Sequence, residues 1–196
     1  YFKNPGENGF DYSNNHTHLH KYKGKWYLLY HSMSLRHNLG VKGGFRNVSI
    51  EEIPVDESTV TIEMIPATYE GVQQIETLNP FILQQMETTA GTKDVQFEAY
   101  GDTGNMVAYS DVTGSILVRG VEFERKARTF TVNAMGNGRI EVRENSPEGT
   151  LIATVDINSP EMSETKVRLA TSPSATTDLC FLFKGKDLKI DNWRFR

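Results

Sequence analysis

Asn14-Asn15-His16-Thr17-His18-Leu19-His20-Lys21-Tyr22-Lys23-Gly24-Lys25-Trp26-Tyr27-Leu28-Leu29-Tyr30-His31 decides how this chain is read. Short-period alternation up to Tyr22, a Lys23-Gly24-Lys25 reversal and an aromatic-rich return have the form of a strand, a turn and a second strand. Working outward, strands are predicted at 16–22, 26–32, 46–53 and 60–65. They are joined by that reversal, a Gly-rich loop at 40–44 and a turn at Asp56-Glu57-Ser58.

Beyond this segment, the stretch 71–80 changes the rhythm, and Pro80 stops any strand that reaches it. Short strands are then predicted at 95–100, 106–109, 115–121, 129–134, 139–144, 150–156, 165–169, 178–184 and 187–195. This spacing suits a β-sandwich. Asn137-Gly138 reads as a hairpin turn, because both residues tolerate positive φ. A long amphipathic helical pattern appears nowhere, so the fold class is all-β. The chain divides into two unequal units, 1–78 and 79–196.

Composition narrows the function classes. Hydrophobic residues make up 38% and charged residues 23% of the 196 positions, proportions of a globular protein rather than a disordered one. No apolar run approaches the ~20 residues that span a bilayer, so no membrane partner is expected. The net charge of -4 carries no basic block, which leaves a nucleic-acid partner without its phosphate-binding term. Neutral ligands such as sugars fit better. The single cysteine, Cys180, lies in the apolar run Leu179-Cys180-Phe181-Leu182-Phe183 and reads as a buried small hydrophobe.

Three histidines, His16, His18 and His20, alternate and so share one strand face. They invite a zinc site. Successive same-face residues lie about 6.5 Å apart, however, which is wide for three ligands on a straight strand. The other reading is a polar strand surface.

The opening stretch, with Gly43-Gly44-Phe45-Arg46 after it, resembles glycoside hydrolase family 43, the arabinofuranosidases and xylosidases of plant cell-wall breakdown. The resemblance implies that residues 1–78 are the final blade of a five-bladed β-propeller, as four antiparallel strands in a meander would be. By the same resemblance His16 points into the propeller channel and holds a metal ion, often calcium, or its water shell. Arg46 reaches the active-site floor, where a guanidinium can bind sugar hydroxyls and keep a carboxylate ionised. The family inverts configuration with carboxylates on earlier blades. None of Asp11, Asp56, Glu51 or Glu52 matches them, and all four read as solvated charge. The N-terminal propeller segment of the same precursor is therefore an expected partner. The fragment alone is expected to be inactive.

Residues 79–196 resemble a family 6 carbohydrate-binding module, a jelly-roll sandwich. Leu83-Gln84-Gln85-Met86-Glu87 matches its opening strand and Leu188-Lys189-Ile190-Asp191-Asn192-Trp193-Arg194-Phe195 its closing strand. That resemblance implies a structural calcium held by Gln85, Glu87 and Asp191, hard oxygen donors for a hard cation. It also implies a sugar cleft built from two aromatics and an asparagine. Met106 stands at the first aromatic position, the second falls near Glu164 or Thr165, and Lys189 replaces the asparagine. The cleft is thus expected to be degenerate, with Trp193 and Phe195 packing the core. Taken together, the implied function is part of a secreted or periplasmic arabinoxylan arabinofuranosidase or β-xylosidase that meets hemicellulose oligosaccharides. The rivals are a non-catalytic carbohydrate-binding or interaction module, and a metal-binding β protein built on the three histidines.

Overall fold

A computed structural model describes residues 3–8, 16–34, 46–101 and 105–196, with Pro5, Asn8, Asn105 and Met106 described by backbone alone. The chain forms two compact units, Tyr1–Ile75 and Glu76–Arg196. The division precedes the expected 78/79 boundary because Leu78 is tied to the second unit: it pairs with Val121, and its amide donates to the Gly120 carbonyl at 2.8 Å. No helix among the described residues is long and apolar enough to cross a membrane.

In the first unit β1 (Thr17–Tyr22), β2 (Lys25–Ser32) and β3 (Asn47–Glu52) form an antiparallel meander. A two-residue turn joins β1 to β2, with Lys23 at φ 48 and Gly24 at φ 82, the mirror-image turn that matches strand twist. Tyr22 therefore pairs with Lys25, and the register runs up to Thr17 opposite Tyr30. Tyr27, Leu28 and Tyr30 are buried. The predicted fourth strand does not join this sheet. Only Thr61–Ile62 (β5) is extended, and it pairs with Val55–Asp56 (β4) in a separate two-stranded ribbon. The Asp56 carboxylate accepts from the amides of Ser58 and Thr59 and from the Ser58 hydroxyl, and Val60 sits at φ 54. That local turn joins β4 to β5 and makes them a tight ribbon of their own. Asn14-Asn15, the 40–44 loop and Gly43-Gly44-Phe45 lie outside the described residues.

The second unit is built from β6 (Gln84–Gln85), β7 (Gly91–Lys93), β8 (Gln96–Tyr100), β9 (Asn105–Ser110), β10 (Gly114–Glu122), β11 (Thr129–Glu144), β12 (Leu151–Arg168) and β13 (Thr176–Phe195). Three of these strands are long, which corrects the sequence reading: 129–134 with 139–144, 150–156 with 165–169, and 178–184 with 187–195 each form one continuous strand. Asn137-Gly138 is no hairpin. Asn137 pairs with Asn158 on one side and Lys186 on the other. β11 follows β13 along both halves, while the other edge of β13 changes from β10 to β9 and then β6. Irregular register near Gly136 bends the strands there. A Cβ on Gly136 or Gly138 would collide with the carbonyl oxygens of Asp187 or Lys184. Glycine at both positions lets the strands approach closely.

The alternating inward residues close one core. Phe130, Phe181, Trp193 and Phe195 are 0–1% exposed, and the Trp193 ring lies 5.1 Å from Phe181 and 5.9 Å from Phe195. Cys180 is buried at 2%, and burial, followed by the Glu148 charge, raises its thiol pKa. It is a small buried side chain with little thiolate character.

Candidate functional site

The two-residue turn sets His16 opposite His31 by continuing the register beyond Thr17–Tyr30. Their rings stack at 5.3 Å with 25° between the planes. Arg46, which is exposed, immediately precedes β3, whose first residues Asn47 and Val48 pair with Ser32 and His31. His16, His31 and Arg46 therefore share one end of the meander. Burial lowers the His31 pKa first, and the positive charge of Arg46 and then His16 lower it further. Its buried Nε2 has no hydrogen-bond partner among the described residues. His31 received no role from the sequence, although a two-residue turn at Lys23-Gly24 is enough to place it opposite His16.

The alternating histidines do not converge. His18 and His20 stack on each other at 6.1 Å while His16 turns to His31. Among the described residues no three His, Cys, Asp or Glu side chains come together to hold a metal.

Glu51 corrects the reading of solvated charge. It is 6% exposed, and its Oε1 accepts from the Tyr30 hydroxyl at 3.1 Å, the Thr68 amide at 2.6 Å and the Thr68 hydroxyl at 3.0 Å. Burial, then the Glu51 charge, pushes the Tyr30 phenol well up. One carboxylate thus ties the segment around Thr68 to β2 and β3.

In the sandwich, Gln85 pairs with Asn192, and the Met86 amide donates to the Asp191 carbonyl at 2.8 Å. Met86 points into the core while Gln85 and Glu87 stay exposed. The register of β11 on β13 steps from Asn133–Asn192 to Ala134–Ile190, which makes Asp191 an extra residue. Its Oδ2 accepts from Asn192 Nδ2 at 2.7 Å and Asn133 Nδ2 at 3.1 Å. The strand pairing thus brings the backbones of Gln85 and Asp191 together at one edge, with Glu87 two residues beyond Gln85.

The three residues expected at the sugar cleft separate. Met106 pairs through its backbone with Ala99. Glu164 lies opposite Asn133 and forms an ion pair with Arg194 at 2.9 Å. Lys189 lies opposite Tyr109 and Met135, and it forms an ion pair with Glu98. The aromatic beside Lys189 is therefore Tyr109, which the sequence reading passed over in favour of position 106. The Tyr109 hydroxyl donates to Asp111. That bond, burial and the charges of Asp111, Asp187 and Glu98 push its pKa up to about 12. A pocket of about 350 Å³ opens beside Tyr109, lined by Asp94, Val95, Gln96, Ser110, Asp111 and Val112. Its polar lining includes Asp94, Gln96 and Asp111, while the Ser110 hydroxyl is engaged by the Asp94 and Val112 carbonyls.

The arabinoxylan arabinofuranohydrolase of Bacillus subtilis (strain 168) is 30% identical over 212 aligned residues, covering 100% of this chain. The chain spans 41% of that relative's length. The crystal structure of a glycoside hydrolase family 43 arabinoxylan arabinofuranohydrolase from B. subtilis, in complex with cellotetraose, superposes with a TM-score of 0.77 at 27% identity. The match covers 100% of this chain and 43% of that one. A β-1,3-glucan binding family 6 module from Bacillus halodurans gives a TM-score of 0.57 at 25% identity, over 62% of this chain and 99% of that one. The family model described as carbohydrate binding module (family 6) matches residues 85–196. Through that stretch, more than half of its length, the chain belongs to the family 6 carbohydrate-binding modules.

Proposed function

We propose that this chain is part of a glycoside hydrolase that removes substituents or residues from arabinoxylan or a related hemicellulose, as an arabinofuranosidase or β-xylosidase. The observation that carries this reading is the similarity of both units, in one continuous alignment, to an arabinoxylan arabinofuranohydrolase. The first unit serves as the last blade of a five-bladed propeller, and the sandwich as an ancillary module. The hydrolysis inverts configuration. It needs a carboxylic acid to protonate the leaving oxygen and a carboxylate to activate water. Those two groups come from an N-terminal propeller segment of the same polypeptide. Arg46 contributes from this chain: its guanidinium binds sugar hydroxyls and keeps a neighbouring carboxylate ionised. His16 stands beside it as a support for sugar or for a metal ion in the channel.

In the sandwich, calcium would be held by Gln85, Glu87 and Asp191. The donors are all oxygens, Gln85 and Glu87 are exposed, and the Asn133 and Asn192 amides orient Asp191. These features suit a hard cation that fastens the opening strand to the closing one. The work is extracytoplasmic, where hemicellulose is found.

An assay of arabinose and xylose release from arabinoxylan tests the reading. The complete polypeptide is expected to turn over, and the 196-residue chain alone is not. A complete polypeptide that binds hemicellulose but hydrolyses nothing would make the chain a non-catalytic binding module instead.

A further inference from the structure

We propose that Lys189 blocks a sugar-stacking position on the sandwich, its ammonium taking the Tyr109 face on which a neutral sugar would stack and Glu98 holding it there. This rests on the carbohydrate reading of the sandwich and names the residue that decides whether that ring is open to a ligand. The strand register assembles the trio. Lys189 lies opposite Tyr109 on β9, and Tyr109 lies opposite Gln96 on β8. Side chains two apart on a strand share a face, so Glu98 projects on the same side as Gln96, Tyr109 and Lys189. The Lys189 ammonium sits 5.3 Å from the centre of the Tyr109 ring and pairs with Glu98, and its side chain is only 24% exposed.

An ammonium over a ring is held by the same π face that a sugar's C–H surface uses, so the two compete for one place. The Glu98 carboxylate, otherwise an acceptor for sugar hydroxyls, is engaged by the same lysine. Carboxylates from Glu98, Asp111 and Asp187 surround the Tyr109 hydroxyl. This acidic setting disfavours a uronate, so the ligand class that gains when Lys189 is removed is a neutral pentose or hexose oligosaccharide.

Titration calorimetry of the full 196-residue chain with xylohexaose and with cellohexaose tests the idea. K189N is expected to bind at least one of them tenfold or more tightly than the unaltered chain. K189Q, which keeps a long aliphatic stem, is the second variant should K189N fold poorly. K189R retains the charge and the Glu98 pair and is expected to behave as the unaltered chain, and adding Y109A to K189N removes the gain. Without any sugar, the Lys189 ε-methylene protons are expected to resonate upfield of a solvated lysine and to return in Y109A. Folded K189N and K189Q that bind within twofold of the unaltered chain would overturn the blocking role. So would Lys189 protons at solvated positions from the outset. Neither result touches the hydrolase reading, which the arabinose-release assay on the complete polypeptide decides separately.

Discussion

In the sandwich, Phe130, Phe181, Trp193 and Phe195 are at most 1% exposed, whereas in the first unit Val48, Val60, Met64 and Tyr69 are 75%, 83%, 61% and 60% exposed. Both units are built from antiparallel strands with apolar residues at regular intervals. The difference is closure. The long strands of the sandwich bend and carry their inward faces around a single core. The three-stranded meander of the first unit buries Tyr27, Leu28 and Tyr30 but leaves Val48 exposed, and Val60, Met64 and Tyr69 lie beyond it on short turns and loops with no sheet among the described residues to cover them. A propeller blade, which expects a neighbouring blade on each face, is a physical account of that pattern.

Replacing the central ring of the sandwich is the most severe way to probe its closure. W193A is expected to cost about 3–5 kcal/mol, read as a large fall in the sandwich's melting temperature. Removing calcium comes next: if it binds at Gln85, Glu87 and Asp191, chelation from a hundredfold excess over the dissociation constant costs about 2.7 kcal/mol. The sandwich transition should then fall by several degrees, and D191N should abolish the dependence. An unchanged melting scan in chelator removes the calcium proposal.

In the first unit, E51A removes the carboxylate that the Tyr30 hydroxyl and the Thr68 amide and hydroxyl share, at a cost of about 1–3 kcal/mol. Amide exchange at Thr68 should rise sharply while exchange in the sandwich core stays unchanged. A chain-wide rise would mean that the two units do not unfold separately.

The smallest effect is expected on the outer face of the sandwich, where Glu141 accepts from Lys184 at 2.7 Å and Arg143 at 2.8 Å. Burial favours the protonated acid, but these two cations outweigh it and hold the Glu141 carboxyl below its usual range. A depressed carboxylate contributes stability above its unfolded pKa, ordinarily about 4.3. That contribution is lost as the pH falls through the lower folded value. E141Q should cost about 1 kcal/mol at neutral pH and flatten the acid limb of a stability–pH curve. An identical acid limb in the variant would show that the pair contributes nothing.

The sequence carried the features that depend on neighbouring residues. Lys23-Gly24-Lys25 could be read as a reversal from its glycine; the turn proper is Lys23 and Gly24, with Lys25 already paired to Tyr22, and that register carries His16 to His31. Trp193 and Phe195 could be assigned to the core from the alternation around them. What stayed hidden depends on distant partners. Asn137-Gly138 has the composition of a turn, but the glycines at 136 and 138 serve the close approach of Asp187 and Lys184. Which residue of β9 meets Lys189 depends on the β9–β13 register, and that register selects Tyr109 over Met106. Glu51 looked like surface charge because the acceptor role that buries it is defined by Thr68, well along the chain.

The central claim is that the exposed Arg46 end of the first unit becomes part of an active-site floor once the other propeller blades cover it. Steady-state hydrolysis of an aryl arabinofuranoside and an aryl xyloside by the complete polypeptide, unaltered and as R46A, tests this most directly. The account predicts a fall in kcat/KM of at least ~30-fold on the preferred substrate, the equivalent of about 2 kcal/mol for a charge-assisted contact whose partner stays buried. An R46A enzyme that folds normally and keeps kcat/KM within twofold of the unaltered enzyme would contradict it.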